Sequence, residues 1–124
     1  MSDEKNLGMV VWQDLTVKDV ETVRDFYSKV VGWQFNNHDM GGYHDHDVLD
    51  SEGNIVAGIC HARGSNASVP PQWLLYVTVA SVEKAADACL SNGGEILDGP
   101  RLMGKQPFCI IKDPAGAVLA LIEA

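Results

Sequence analysis

The sequence predicts an α+β fold of two similar halves, each reading strand, helix, strand, strand, strand. Three observations carry this. The chain repeats itself at an offset of 62 residues. Each half opens with a β-rich run followed at once by an amphipathic stretch. Each half closes with an acidic, glycine-containing turn before an apolar run.

The repeat aligns Thr16-Val17 with Thr78-Val79, Val20-Glu21 with Val82-Glu83, and Gly32 with Gly94. Asp50-Ser51-Glu52-Gly53 matches Asp113-Pro114-Ala115-Gly116 at an offset of 63, so one residue has been gained or lost. These identities fall at the same landmarks of both halves, as expected of a duplicated supersecondary unit.

Residues 9–17 and 73–79 (MVVWQDLTV and WLLYVTV) are rich in β-branched and aromatic side chains and predict strands. Asp19 and Ser81 then suit helix N-caps, because their oxygens can accept from amides of the first turn. Val20, Val23, Phe26, Tyr27, Val30 and Val31 recur at helical spacing, as do Val82, Ala85, Ala86, Cys89 and Leu90. Gly32 and Gly93-Gly94 follow as C-terminal glycines that can take positive φ. Further strands are expected at about 33–38, 43–50, 54–62, 95–98, 107–112 and 117–122. The halves span about 9–62 and 73–123 of a single domain covering residues 1–124. Gly64 to Pro71 (GSNASVPP) is read as their linker. One apolar face per helix covers one side of each sheet. The other sides, curved toward each other, would enclose a trough suited to a ligand. A ferredoxin-like βαββαβ order is the alternative, but it provides only one strand after the second helix.

The chain has 124 residues, enough for one core without disulfides. Hydrophobic residues make up 46% and charged residues 21%, a globular balance. The formal charge of −8 comes with only nine scattered Lys and Arg, which argues against binding nucleic acid. Cys60, Cys89 and Cys109 form no CxxC motif and suit free thiols in a reducing compartment. The polar start MSDEKNLG does not resemble a signal peptide, and no apolar run reaches membrane-spanning length. A cytoplasmic protein without a membrane partner is expected.

The segments WQDLTVKDVETVRDFYSKVVGW (Trp12 to Trp33), WLLYVTVASVEKAADACLSNGG and IIKDPAGAVLALIE resemble the vicinal oxygen chelate superfamily, also called glyoxalase/bleomycin resistance/dioxygenase. The likeness covers almost the whole chain. It implies tandem βαβββ modules forming curved mixed sheets around a ligand trough. It also implies that two-half chains pair, so a homodimer is expected. Metal-holding members carry His, Glu or Gln at four trough positions, which fall here at Trp12, Leu74, Ala120 and near Gly58. None offers a metal donor. The pattern around Trp12, Tyr76 and DPAGA resembles a poorly characterised, often metal-free, hydroxylase-like branch, and no cofactor is expected.

Asp14 shares a strand face with Trp12, and its repeat counterpart is Tyr76. A carboxylate in an apolar trough can serve as a base. Asp14 and His61 are the candidate catalytic residues. Trp12, Asp14, His61, Leu74, Tyr76, Met103, Phe108 and Ala120 are the candidate ligand-binding residues. Arg101, Lys105 and Gln106 flank Met103 in what reads as a loop. His44 and His46, two apart on one strand, are an alternative metal pair, against the reading of a solvated polar strand. Four functions fit: a metal-free binder of an unidentified small molecule, a metal-free enzyme, a divergent metal-dependent lyase or dioxygenase, and an interaction module with a collapsed cavity.

Overall fold

A computed structural model describes residues 6–124; part of the polar start discussed above lies outside that range. The chain divides into two compact units. The first is Gln13–Trp73, and the second is Leu74–Ala124 joined by the residues up to Trp12. The strands are β1 (Val10–Val17), β2 (Gln34–Asp39), β3 (His44–Leu49), β4 (Ile55–His61), β5 (Trp73–Val79), β6 (Glu95–Met103), β7 (Gln106–Lys112) and β8 (Val118–Glu123). The helices are α1 (Val20–Val31) and α2 (Val82–Ser91). The element order is βαβββ twice, so the α+β reading of the sequence holds.

In the first unit, β1 pairs in parallel with β4, which pairs antiparallel with β3, and β3 with β2. In the second, β5 pairs in parallel with β8, which pairs antiparallel with β7, and β7 with β6. The duplication extends to register. Asp14 faces Gly58 across β1 and β4, and Tyr76 faces Ala120 across β5 and β8. Adding 62 to each member of the first pair gives the second (14 + 62 = 76; 58 + 62 = 120).

Each helix covers one sheet face. Val20 of α1 is wholly buried with Leu15, Val17, Val48, Ala57 and Ile59, and Val23 and Tyr27 pack against this core. Phe26, Val30 and Val31 are exposed. The covered stripe is thus narrower than the apolar periodicity of α1 suggests, since a helix on a sheet buries only the side chains nearest its line of contact. Trp33 and Trp73 join Tyr27 in an aromatic cluster, where the Trp73 indole N–H donates to the Tyr27 hydroxyl at 3.0 Å. In the second unit Val82 and Ala86 of α2 pack on Cys109 and Leu121.

Ser81 caps α2 by accepting from the Lys84 amide, whereas the Asp19 side chain makes no capping bond to α1. Gly32 ends α1 at φ 82°, and Gly93, at φ 89°, follows Asn92 at the end of α2. The segment 99–103, read from sequence as a loop, continues β6 to Met103. Register shifts between Ile96 and Arg101 absorb Gly99-Pro100, which a regular strand would not accommodate. The segment after β4 contains a short 3₁₀ turn at Gly64–Asn66 and a buried Val69.

Candidate functional site

On the second unit, the sheet face opposite α2 bears a pocket of about 530 Å³. The size suits a small organic ligand. Strand alternation builds it. Val77, Val79, Cys109 and Leu121 face the helix, so Tyr76, Thr78 and Ile122 face the other way. Trp12, Val11, Tyr76, Met103 and Ile122 give it an apolar and aromatic wall, while Asn6, Thr78 and Gln106 are polar residues of its lining. Residues 6–9 are fixed beside β5. The Gly8 amide donates to the Thr78 carbonyl at 2.8 Å, the Thr78 amide to the Met9 carbonyl at 3.0 Å, and the Thr78 hydroxyl to the Asn6 carbonyl. Those bonds hold Val11 and Trp12 against this unit. Gln106 is anchored through its amide, which donates to the Glu123 carbonyl at 3.0 Å.

Of the residues expected from sequence, Trp12, Tyr76 and Met103 line this pocket. Leu74, Phe108 and Ala120 are almost wholly buried and lie outside its lining. Arg101 sits opposite Phe108 in the β6–β7 register, with its guanidinium carbon 4.5 Å from the ring centroid. Buried Asp98 holds that guanidinium through two bonds of 2.8 Å. This fork, with the charge of Tyr76 adding to it, raises the already high Arg101 pKa. Asp98, three residues before Arg101, is a buried partner that the sequence reading does not single out.

Asp14 and His61 belong to the first unit. Asp14 is 7% exposed and alternates with Leu15 and Val17, which face α1, so it points to the opposite face. There its charge, after burial itself, helps to push the Cys60 thiol strongly upward. His61 lies elsewhere. Its ring Nδ1 is 3.0 Å from Asp45 Oδ1, and its Nε2 is 3.9 Å from Glu21 Oε2. Tyr43 stacks edge-on to it at 5.2 Å and carries the Arg63 guanidinium over its own ring at 3.8 Å. The structure does not bring Asp14 and His61 to one point as an acid–base pair.

His44 is exposed, whereas His46 is 4% exposed and also 3.9 Å from Glu21 Oε2. Burial first, then the positive charge of Arg24, lowers the His46 pKa. His38 is exposed and lies 3.5 Å from Asp47.

The positions that the resemblance assigns to metal ligands fall at Trp12, Leu74, Ala120 and near Gly58; the indole of Trp12 and the hydrocarbon side chains of Leu74 and Ala120 present no metal donor. Among the described residues, no group of three or more His, Cys, Asp or Glu side chains is placed to hold a metal ion.

A family model described as the Glyoxalase/Bleomycin resistance protein/Dioxygenase superfamily matches residues 7–121. The chain belongs to this superfamily. Among curated relatives of the superfamily member, "Putative glyoxylase CFP32" of Mycobacterium tuberculosis is 27% identical over 124 residues. That match covers 98% of this chain and 48% of the relative. "Anthracycline biosynthesis protein DnrV" of Streptomyces peucetius is 25% identical over 130 residues, covering 92% of this chain and 46% of the relative. The chain thus spans about half the length of the curated relatives it matches. Among solved structures, a methylmalonyl-CoA epimerase variant of Streptomyces coelicolor, in complex with 2-nitronate-propionyl-CoA, matches with a TM-score of 0.54 and 16% identity. It covers 95% of this chain and 98% of that one. A Legionella pneumophila chain titled NAD-dependent benzaldehyde dehydrogenase matches with a TM-score of 0.58 and 15% identity, over 90% and 96% of the two chains. These likenesses show the fold that superfamily members share.

Proposed function

We propose that this chain binds a small, flat, largely apolar molecule in the pocket of its second unit, without a metal at the superfamily's usual position. The observation that carries the reading is the wall of Trp12, Tyr76 and Met103 around a cavity of about 530 Å³, with Asn6, Thr78 and Gln106 for uncharged polar recognition. Aromatic side chains favour planar ligands by offset or edge-on packing. A hydroxyl and an amide select for a hydroxyl or carbonyl on the ligand rather than for a charge. The name of one relative, anthracycline biosynthesis, supports a polycyclic aromatic ligand class. The donor-free side chains of Trp12, Leu74 and Ala120 support binding without metal.

A catalytic role for Asp14, or for His61 oriented by Asp45, is a second reading. It is favoured by the 3.0 Å His61–Asp45 contact, the arrangement of an oriented base. The exposed Phe26, Val30 and Val31 support a homodimer, for which a sedimentation mass near 13.4 kDa at micromolar concentration is the contrary result.

A thermal-shift panel of hydroxylated anthraquinones, naphthoquinones and acyl-CoA esters tests the binding reading. A ligand at 100 times its dissociation constant stabilises by about 2.7 kcal/mol, so a quinone should raise the melting temperature by several degrees. A panel with no quinone shift would contradict the proposal. A shift accompanied by conversion of the quinone would favour catalysis.

A further inference from the structure

Among the described residues, no charged side chain lines the pocket of the second unit. Its polar groups are partly committed within the protein. The Thr78 hydroxyl donates to the Asn6 carbonyl, so toward a ligand it only accepts. One N–H of the Gln106 amide goes to the Glu123 carbonyl. The donor groups of the lining are the Tyr76 hydroxyl and the side-chain amides of Asn6 and Gln106, all uncharged.

Strand register places a charged donor next to that lining. Ile122 lines the pocket and pairs with Phe108 of β7, which in turn pairs with Arg101 of β6. Residues directly opposite one another share a sheet face, and Met103, two positions beyond Arg101, lines the pocket too. Arg101 therefore stands on the pocket's face of the sheet. Tyr76, in the pocket wall, is near enough for its charge to act on it. Arg101 Nε and Nη2 each reach a different Asp98 carboxylate oxygen at 2.8 Å. In a planar guanidinium that fork leaves Nη1, with two N–H groups, turned away from Asp98. Nη1 has no hydrogen-bond partner among the described residues. The Asp98 side chain is 3% exposed and that of Arg101 40%, so the fork is buried at its acidic end and open at its basic end.

We propose that Arg101 sets the specificity of this pocket, its Nη1 donating a hydrogen bond to a carbonyl oxygen of the flat ligand. The inference rests on the binding reading given above and narrows the ligand class to aromatic ketones and quinones. Asp98 balances the guanidinium charge, which favours a neutral carbonyl over a carboxylate. A hydrogen bond from an ionised donor is roughly twice as strong as one between neutral groups, so Arg101 outweighs the amides of the lining. The Asp98 fork and the Phe108 ring, 4.5 Å from the guanidinium carbon, already hold the donor in place. Little side-chain freedom is then lost when the ligand bond forms.

The test compares fluorenone with fluorene, which has nearly the same shape but no carbonyl. Equilibrium binding of both is measured on the full chain and on Asp98→Asn/Arg101→Met, a paired change that strands no buried charge. The ratio of fluorenone to fluorene affinity should fall about tenfold in the double variant, the order expected for one hydrogen bond from a charged group. Fluorene affinity should be unchanged. A spectroscopic readout separates this role from a structural one. The carbonyl stretch of bound fluorenone should lie below its frequency in hexane for the parent and move back up in the variant. Lys105→Gln, which removes a neighbouring charge, should leave both readouts as in the parent. If the double variant fails to fold, Arg101→Lys still decides, because it keeps a cation beside Asp98 but has no second terminal nitrogen. An unchanged affinity ratio and an unchanged stretch would overturn the Arg101 assignment and leave the pocket reading standing. Saturable binding of neither compound would overturn both.

Discussion

Replacing Arg101 by Met keeps an unbranched apolar chain over Phe108 but removes the cation from Asp98. The Asp98 side chain is only 3% exposed, so its carboxylate is left charged and poorly solvated. Breaking a fully buried pair in this way costs about 3–5 kcal/mol. The Arg101 side chain is 40% exposed, so solvent already screens part of the attraction. The expected loss is therefore discounted to about 2 kcal/mol. For a chain of this length, about 3–5 °C of melting temperature accompanies each kcal/mol, giving a fall of about 6–10 °C. Asp98→Asn/Arg101→Met should be more stable than the sum of its single changes predicts by about 1–2 kcal/mol, because no buried charge is then stranded. Urea unfolding followed by circular dichroism on the four proteins of this cycle measures the coupling. Single changes that add to within about 0.5 kcal/mol, or an Arg101→Met variant as stable as the parent, would refute the reasoning.

Two further outcomes follow from the same geometry. Ser81→Ala should destabilise by about 1 kcal/mol, because the Lys84 amide loses its acceptor, while Asp19→Ala should cost less, since that side chain makes no capping bond; thermal melts of the pair check the contrast. Burial first, and then the charges of Cys89 and Asp98, push the Cys109 thiol up to about 11 from 9.0. Above pH 9 the unfolded chain releases a proton that the folded chain keeps, so stability is present below that pH and declines as pH rises toward 11. The slope should be at most about 1.4 kcal/mol per pH unit for this group. Urea unfolding between pH 8 and 10.5 should show a shallower decline in Cys109→Ala.

Local pattern made the fold readable. The offset of 62 residues reappears in the pairing of Asp14 with Gly58 and of Tyr76 with Ala120. Those pairings need only strand periodicity and a duplicated plan. Trp12 and Tyr76, which line the pocket, were reachable for the same reason, since alternate residues of a strand share a face, whereas Met103 came from a segment that reads as a loop. The convergence of Glu21 with His46 and His61 was not readable. It depends on where α1 sits along its sheet and on how far β3 and β4 extend, neither of which has a local signature. The Asp98–Arg101 fork was hidden because Gly99-Pro100 reads as the start of a loop. The register shifts that let β6 continue past it arise from pairing with β7. The apolar run in α1 misled in the other direction. Phe26, Val30 and Val31 keep the helical period but stay exposed.

The central claim, that the second unit's pocket receives a flat apolar ligand, is tested most directly by titrating the protein with 1,4-dihydroxyanthraquinone at equilibrium. The parent chain should bind one equivalent saturably. Trp12→Ala removes an aromatic wall, and Met103→Trp, at a residue 38% exposed, fills the cavity; each should weaken binding at least tenfold while circular dichroism shows an unchanged fold. That factor corresponds to about 1.4 kcal/mol, the order expected for losing a stacking surface or a cavity. Saturable binding with the same affinity in both variants would place the ligand elsewhere, and no saturable binding in the parent would contradict the account.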